Sequence, residues 1–495
     1  MNILLTKTDF KEYLLCPKNF WLSKKCPEEY IPGEYSLFLE KLIKEGYEIE
    51  AYAQKLFPGG VELSGEKEEL VAQTAALLRE KKTIFQASFV MPDGLFAKID
   101  ILHFNAETEK WDIYEVKAST EVKTDRKHNH LKDLAFQTVV CERAGVSVGK
   151  SSLVLVNKDY RRDGEIDPTK LLVVEDMTEK MEEEKGNVSR EIDGALEILR
   201  KDDVSKKKCD CVYRSHGQWC DSFAFFNPEI PEYSVHHVVT GKKLHTLLDD
   251  GIYDVKDIPE DFELTEKQRE KVVLQKLGDT IVDKAAVCET LSNLVFPIYF
   301  LDYETLAKPV PFLDGYKTNQ NLVFQVSLHV LSEDGALEHF EYLAEEMGHA
   351  TEELLRVMKK HIGPVGSVLV WYEAFEKTRN KELAELHPEY RDFLEDVNAR
   401  VFDLMTVFKK NYLHPDFHGS TSIKKVLPVI APEFSYKDLD VQNGTMAMSE
   451  WEKLMQGSSE ADEKEAMRKN LLKYCERDTY AMVLIYQFLE KLCRG

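Results

Sequence analysis

Apolar positions in the first part of the chain recur with two different periods. Between Phe10 and Leu22, and again between Leu37 and Leu56, they fall three or four residues apart, which predicts two amphipathic helices, the second ended by Pro58-Gly59-Gly60. Leu95 to Phe104 and Trp111 to Ala118 read instead as strands. The polar stretch Asn105-Ala106-Glu107-Thr108-Glu109-Lys110 between them predicts a hairpin. A helix over Leu131 to Gly145, a strand over Ser152 to Val156 and a long charged helix over Glu179 to Lys201 follow. The pattern to residue 222 is that of one mixed α/β domain.

Residues 223–292 change character. Pro228, Pro231 and Pro259 punctuate short helices, including Lys242 to Leu248 and Glu266 to Leu277, as in a helical connector. Leu248-Asp249-Asp250-Gly251-Ile252-Tyr253-Asp254-Val255 resembles a helix-hairpin-helix turn, and an interdomain spacer is the plainer reading. Residues 293–495 predict a second α/β domain. Its strands are expected at Pro297 to Tyr303, Leu322 to Leu331, Leu337 to Tyr342 and Ser367 to Trp371, with a terminal helix from Glu463 to Leu492.

Composition narrows the class. Hydrophobic residues make up 43% and charged residues 31% of 495, as in a globular protein of two or three domains. No apolar run approaches the ~20 residues of a membrane helix, and Met1 to Lys7 lacks the pattern of a signal peptide, so a cytoplasmic location without membrane contact is expected. A formal charge of −23 argues against a protein that coats duplex DNA through a broad basic surface. Local basic runs remain as strand guides or solvated faces: Arg126-Lys127-His128 with His130 and Lys132, and Lys206-Lys207-Lys208 with Arg214. The nine cysteines are an odd number in a cytosolic chain and predict no disulfide framework. Cys141, Cys288, Cys475 and Cys493 sit in apolar contexts that suit inert thiols, whereas Cys209, Cys211 and Cys220 crowd into twelve residues.

Carboxylates carry the candidate chemistry. Strand alternation puts Glu115 and Lys117 on one face, with Tyr114 and Val116 on the other. Asp100 interrupts an apolar run, where a lone carboxylate is costly unless paired or bound to metal. Asp100 and Glu115 can hold Mg²⁺ or Mn²⁺, and Lys117 can orient the attacking water or stabilise developing charge. Asp93, in Pro92-Asp93-Gly94, suits a turn instead. In the second domain Ile298, Phe300, Asp302 and Glu304 share a face, and Tyr474 and Asp478 lie one helical turn apart.

The order Asp100, Glu115-Val116-Lys117 and Gln137 resembles the PD-(D/E)XK nuclease core of the RecB type. In that family a Gln-x-x-x-Tyr helix follows the strands, and Cys141 here replaces the Tyr. A Gly-x-x-x-His helix precedes them, and Gly46-Tyr47-Glu48-Ile49-Glu50 fits with Glu50 as the metal ligand in place of His. One early cysteine, Cys16, and three late ones, Cys209, Cys211 and Cys220, look like the iron-sulfur variant found in CRISPR-associated RecB-like exonucleases and AddB-type helicase-nucleases. The resemblance implies a [4Fe–4S] staple on these four thiolates. The short Cys-x-Cys spacing keeps structural Zn²⁺ as the alternative, with Cys26 and His216 as spare ligands.

Asp302-x-Glu304 on a first strand, with Tyr474-x-x-x-Asp478 on a late helix, is similar to the DEDDy 3′-to-5′ exonucleases of the ribonuclease H-like superfamily. There, acidic residues hold two metals about 4 Å apart. The resemblance casts Tyr474 as a water-orienting residue and Glu376 as the remaining acid, where the family places Asp; Tyr372 stands where it often has Asn. Asn380 and Asp403 are supplementary candidates. Along its whole length the chain also looks like an uncharacterised prokaryotic family fusing the two modules. The stretches carrying that likeness are Ala135-Phe136-Gln137, Asn157-Lys158-Asp159-Tyr160, Phe300-Leu301-Asp302-Tyr303-Glu304 and Gly419-Ser420-Thr421-Ser422-Ile423-Lys424-Lys425-Val426-Leu427-Pro428. In the last, a Ser/Thr-rich loop entering a helix could take a phosphate. The implied activity is metal-dependent hydrolysis of DNA, single-stranded or at ends, in repair, recombination or defence. Two alternatives are that one module is catalytic and the other a nucleic-acid platform, or that the enzyme processes RNA.

Overall fold

The computed structural model describes residues 4–30, 37–348, 350–456 and 460–495. Met1, Asn2 and Ile3 of the start read above lie outside them. The described chain is mixed α/β and divides into two compact units, Met1–Asp257 with Pro309–Asn319, and Ile258–Lys308 with Gln320–Gly495. The expected connector is thus shared, its first part folding with one unit and the rest with the other.

In the first unit, α1 (Lys7–Leu15) opens with a capping box between Thr6 and Asp9. One helix was expected over Phe10 to Leu22, but Pro17 splits it, because proline disfavours helix at the residue before it and lacks the N–H that a continuous helix needs. Cys16 is extended there, ending α1 and capping α2 (Pro17–Lys25) by accepting from Asn19 N. α3 (Leu37–Gln54) and α4 (Lys67–Arg79) frame β1 (Val61–Glu62). β2 (Ile84–Val90), β3 (Phe96–Asn105) and β4 (Lys110–Val116) form an antiparallel meander that contains the expected hairpin. α5 (His130–Arg143), capped by Asn129, returns the chain to β5 (Val148–Val156), parallel to β4. After α6 (Pro168–Leu171), β6 (Leu172–Asp176) completes a six-stranded sheet in sequential order, and α7 (Thr178–Arg200) leads to the late cysteines. One sheet face packs Ile113 and Leu153 against Phe10, Phe136, Val140 and Ile192. The other packs Ile101 and Val154 against Ile49 and Ala53 of α3. α8 (Phe223–Phe226) and α9 (Gly241–Asp249) close the unit.

The second unit begins with α10 (Glu266–Leu277), which runs from the Thr265 capping box to a left-handed Gly278 at φ 66°. β7 (Ile281–Val282) and α11 (Lys284–Ser292) precede β8 (Ile298–Leu306), β9 (Leu322–Leu331) and β10 (Leu337–Leu343), an antiparallel trio. α12 (Ala350–His361) leads to β11 (Val368–Val370), and α13 (Glu373–Leu386) with α14 (Arg391–Ala399) leads to β12 (Val401–Asp403). β11 is parallel to both β8 and β12, so the sheet order is β10-β9-β8-β11-β12. α15 (Met405–Lys410), β13 (Tyr412–Leu413), α16 (Ile423–Ile430), α17 (Gly444–Gln456) and α18 (Ala461–Arg494) complete it. Tyr299, Leu301 and Tyr303 pack toward α12, whereas Ile298 and Phe300 pack toward α18. Cys288 and Cys493, expected as isolated thiols, are joined by a disulfide: α11 lies against the end of α18, bringing the two Cα atoms to 5.4 Å. That meeting is set by helix packing across 205 residues, which local apolar context does not reveal.

Candidate metal centres

The first centre grows from one cross-strand row. Ile101 pairs with Tyr114, so the same register sets Asp100 across from Glu115, and Val116 N donates to Asp100 Oδ2 at 2.8 Å. Gln86 stands opposite Asp100 on β2. It has a left-handed φ of 61°, rare for a residue with a side chain, and the β2 alternation reverses around it, so that Ile84 and Ala87 enter the same core. Its amide donates to Glu50 of α3.

Glu115 is 1% exposed and has both oxygens engaged, Oε1 by Lys117 at 2.7 Å and by Lys7, Oε2 by Gln137. Lys117 also donates to Asp133 at 2.6 Å. Burial alone would raise the Glu115 pKa, but the ammonium groups of Lys117 and Lys7 outweigh it and hold the carboxyl well below its usual range. Asp100 is pushed up to about 7, first by desolvation and then by the Glu115 charge. Glu50 is raised by desolvation, with Glu115 adding to the shift. Asp100, Glu115, Lys117, Gln137 and Glu50 therefore sit in mutual electrostatic or hydrogen-bond reach. Lys7, Asp133 and Gln86 belong with them and escaped sequence reading. Asp133 had a signal in its i, i+4 spacing from Gln137; Lys7 and Gln86 had none. Asp93 accepts from Leu95 N at 3.3 Å in a turn, as read.

Cys16, Cys209, Cys211 and Cys220 are all buried, with sulfurs within 4.8 Å of one another. Cys209 and Cys220 are 3.9 Å apart. Asn19 N donates to Cys16 at 3.4 Å, Arg214 to Cys211 at 3.4 Å and Asn227 to Cys209 at 3.3 Å, so three thiolates have ready donors. Cys26 and His216 are outside this quartet; the His216 ring lies tilted against Trp219, with centroids 4.5 Å apart. The basic runs are partly spent on structure: Lys132 pairs with Glu191, Lys206 with Glu29, and Arg214 bonds Leu15 O.

The second centre lies at the carboxyl ends of parallel β8, β11 and β12, where connections leave the sheet and side chains can converge. Asp302 and Glu304 continue the Ile298–Phe300 face toward α18, which supplies Tyr474, Cys475 and Asp478. Glu376 projects from the first turn of α13. Glu304 is 8% exposed and Glu376 2%, and Glu376 Oε2 makes no hydrogen bond among the described residues. None of the four carboxylates forms an ion pair within 4.0 Å there. Desolvation raises all four pKa values: Asp302 and Glu304 well above the ordinary range, with Asp478 and Asp302 respectively adding repulsion, Glu376 to about 9 with help from Asp302, and Asp478 to about 6. Tyr436 donates to Asp478 at 2.6 Å and Cys475 reaches Asp302 at 4.0 Å. Tyr436 was missed, since nothing in its sequence context marks it.

Asn380 faces elsewhere, accepting from Tyr303 OH at 2.7 Å on the opposite side of β8. Asp403 accepts from Tyr372 N and Met405 N, both at 3.1 Å, and so braces the β12 end. Tyr372 is 54% exposed with φ 89°, and Thr421 O in the Ser/Thr loop accepts from Trp371 at 3.1 Å.

Residues 299–422 match a family described as a domain of unknown function, DUF2779, a stretch that includes Asp302, Glu304 and Glu376 and stops before Tyr474. The chain is similar to uncharacterized protein UU173 of Ureaplasma parvum, 32% identical over 151 residues, 27% of this chain and 22% of that protein. It is also similar to uncharacterized protein MG366 of Mycoplasma genitalium, 31% identical over 140 residues, 26% of this chain and 21% of the relative. The match thus spans about a fifth of these curated relatives. Among the described residues no helix is long and apolar enough to cross a membrane.

Proposed function

We propose that the chain is a metal-dependent nuclease that hydrolyses DNA, single-stranded or from ends, using the carboxylates of both units. The carrying observation is the set Asp302, Glu304, Glu376 and Asp478: four desolvated acids linked by mutual repulsion through Asp302, with no ion pair within 4.0 Å among the described residues, an arrangement that a divalent cation relieves. The order β10-β9-β8-β11-β12, antiparallel then parallel, supports the ribonuclease H-like reading. The α3, β2-β3-β4, α5, β5 succession with Asp100 facing Glu115 supports the PD-(D/E)XK reading.

Asp302, Glu304, Glu376 and Asp478 would hold Mg²⁺ or Mn²⁺ in the second unit, and Asp100, Glu115 and Glu50 in the first. A divalent ion held there would supply Lewis-acid polarisation of the scissile phosphate and a lowered pKa for the attacking water. Tyr474 would orient that water, and Lys117 would stabilise charge beside Glu115. The unpartnered Oε2 of Glu376 is the clearest sign of fit. In the first unit Lys7 already neutralises Glu115. That observation favours a second reading, in which the first unit is a nucleic-acid platform and the second unit cuts.

Glu115→Ala and Asp302→Ala, assayed on 5′- and 3′-labelled strands in Mg²⁺ and Mn²⁺, separate these readings. Loss of 3′-end release in Asp302→Ala supports the second centre, and loss in Glu115→Ala supports the first. Wild-type degradation by both variants overturns the assignment. Matched DNA and RNA competitors decide the polymer.

For the cysteine quartet we propose a structural metal. Tetrahedral Zn²⁺ with bonds of about 2.3 Å sets its sulfurs roughly 3.8 Å apart, close to the 3.9 Å between Cys209 and Cys220. That spacing favours zinc over [4Fe–4S], whose thiolates each bind a separate iron. Iron with a visible absorbance band in anaerobically purified protein would reverse the choice.

A further inference from the structure

The sheet face carrying Asp302 continues onto β9 and β10 with residues that the acidic centre does not use. Register sets His329 beside both Phe300 and His339, and Ser327 between Asp302 and Glu341. Leu328, Val330 and Phe340 pack toward α12, so their neighbours His329, His339 and Glu341 face α18.

The imidazole rings of His329 and His339 lie 4.4 Å apart. Each has one nitrogen engaged by a hydroxyl, His329 Nδ1 by Thr479 at 2.8 Å and His339 Nε2 by Ser327 at 2.9 Å. The two hydroxyls are 2.7 Å from each other. His329 Nε2 and His339 Nδ1 are left over. The latter is 3.9 Å from Glu476 Oε1 of α18, and one ligand atom from each of His329, His339 and Glu476 lies within 4.8 Å of the others. Glu341, two residues along β10 from His339, has a buried Oε2 with no hydrogen bond among the described residues.

A hydrogen bond on the far nitrogen holds the orientation of a metal-binding imidazole. Here both rings are fixed that way, and a carboxylate waits at the free nitrogen. Two imidazoles with carboxylates suit a borderline ion such as Zn²⁺ better than Mg²⁺, which prefers all-oxygen surroundings. We propose that His329, His339 and Glu476, with Glu341 in the fourth position, bind one divalent transition ion of the zinc type that joins α18 to β9 and β10. Because α18 also carries Tyr474 and Asp478, the ion fixes the helix that supplies part of the acidic centre. The site itself rests on its own imidazoles and carboxylates, so it stands or falls separately from the nuclease reading.

The 495-residue protein is equilibrated with Zn²⁺ in excess Mg²⁺, gel-filtered, and its zinc counted per chain. Wild type is expected to hold one zinc more than either His339→Gln or Glu476→Gln, whatever the cysteine quartet contains. The Glu476 side chain is 49% exposed, so Glu476→Gln decides the question if His339→Gln fails to fold. A folded variant that retains the wild-type zinc count overturns the proposal.

Discussion

Glu376 is 2% exposed and its carboxyl is pushed up to about 9, first by desolvation and then by Asp302. With the folded value above the unfolded one of roughly 4.5, its stabilising contribution is complete below that unfolded value and is lost as pH rises through about 9. Without metal at pH 7 the group is mostly protonated, and glutamine is its near-isostere. Glu376→Gln should therefore match wild type in the melting temperature of metal-free protein near pH 4 and exceed it at pH 7, because it removes up to ~1.4 kcal/mol per pH unit of a stability loss that runs from roughly 4.5 to about 9. It should also cut 3′-end hydrolysis at least tenfold. Unaltered hydrolysis would remove Glu376 from the centre. Lys7 makes the opposite case, a cation on a buried carboxylate. Lys7→Ala should destabilise the first unit by about 1.5–3 kcal/mol, the range for a hydrogen bond to a charged group, measured by urea unfolding. A neutral result would mean that Lys117 alone satisfies Glu115.

Elements decide which residues meet. Pro17 turns one expected helix into two, and the break is what extends Cys16 toward Cys209, Cys211 and Cys220. The α18 helix does comparable work in the second unit, presenting Tyr474, Glu476 and Asp478 to three strands. Its far end is tied to α11 by Cys288–Cys493, closing a loop of 205 residues. Restricting the unfolded chain over such a loop contributes about 2–5 kcal/mol. Cys493→Ser, or reduction of wild type, should lower the unfolding free energy of the second unit by an amount in that range, with a correspondingly lower midpoint. Equal midpoints for oxidised and reduced protein would show that helix packing alone holds α11 and α18. Strand and helix positions were legible because period and turn residues are local: Leu322–Leu331 and Glu266–Leu277 fall where the pattern puts them. The reversal of alternation at Gln86 was not legible, since it arises from one backbone angle rather than from residue type.

For the molecule as a whole, five carboxylates of a chain with a net charge of −23 sit where a charge is hard to solvate. Asp100 at about 7, Asp478 at about 6, Glu376 at about 9 and the raised Asp302 and Glu304 all favour the protonated form in the folded state. Metal-free stability should fall as pH rises through 6 to 9, and a cation that binds the deprotonated carboxylates should restore it. Mn²⁺ is accordingly expected to raise the melting temperature more at pH 8 than at pH 5.5. Equal shifts at both values would mean that these acids do not take up the ion.

Sequence alone determined which residues are candidates for chemistry and, through strand alternation and helical spacing, which near neighbours share a face: Glu115 with Lys117, Asp302 with Glu304, Tyr474 with Asp478. Periodicity is a property of the local backbone, so a linear reading captures it. Only the tertiary structure decided what meets across distance. It put Lys7 on Glu115, Gln86 on Glu50, Tyr436 on Asp478, Cys288 on Cys493, and His329 with His339 beside Glu476. Those contacts depend on sheet register and helix packing, which are set by the burial of many side chains together and have no trace in any single stretch of the chain.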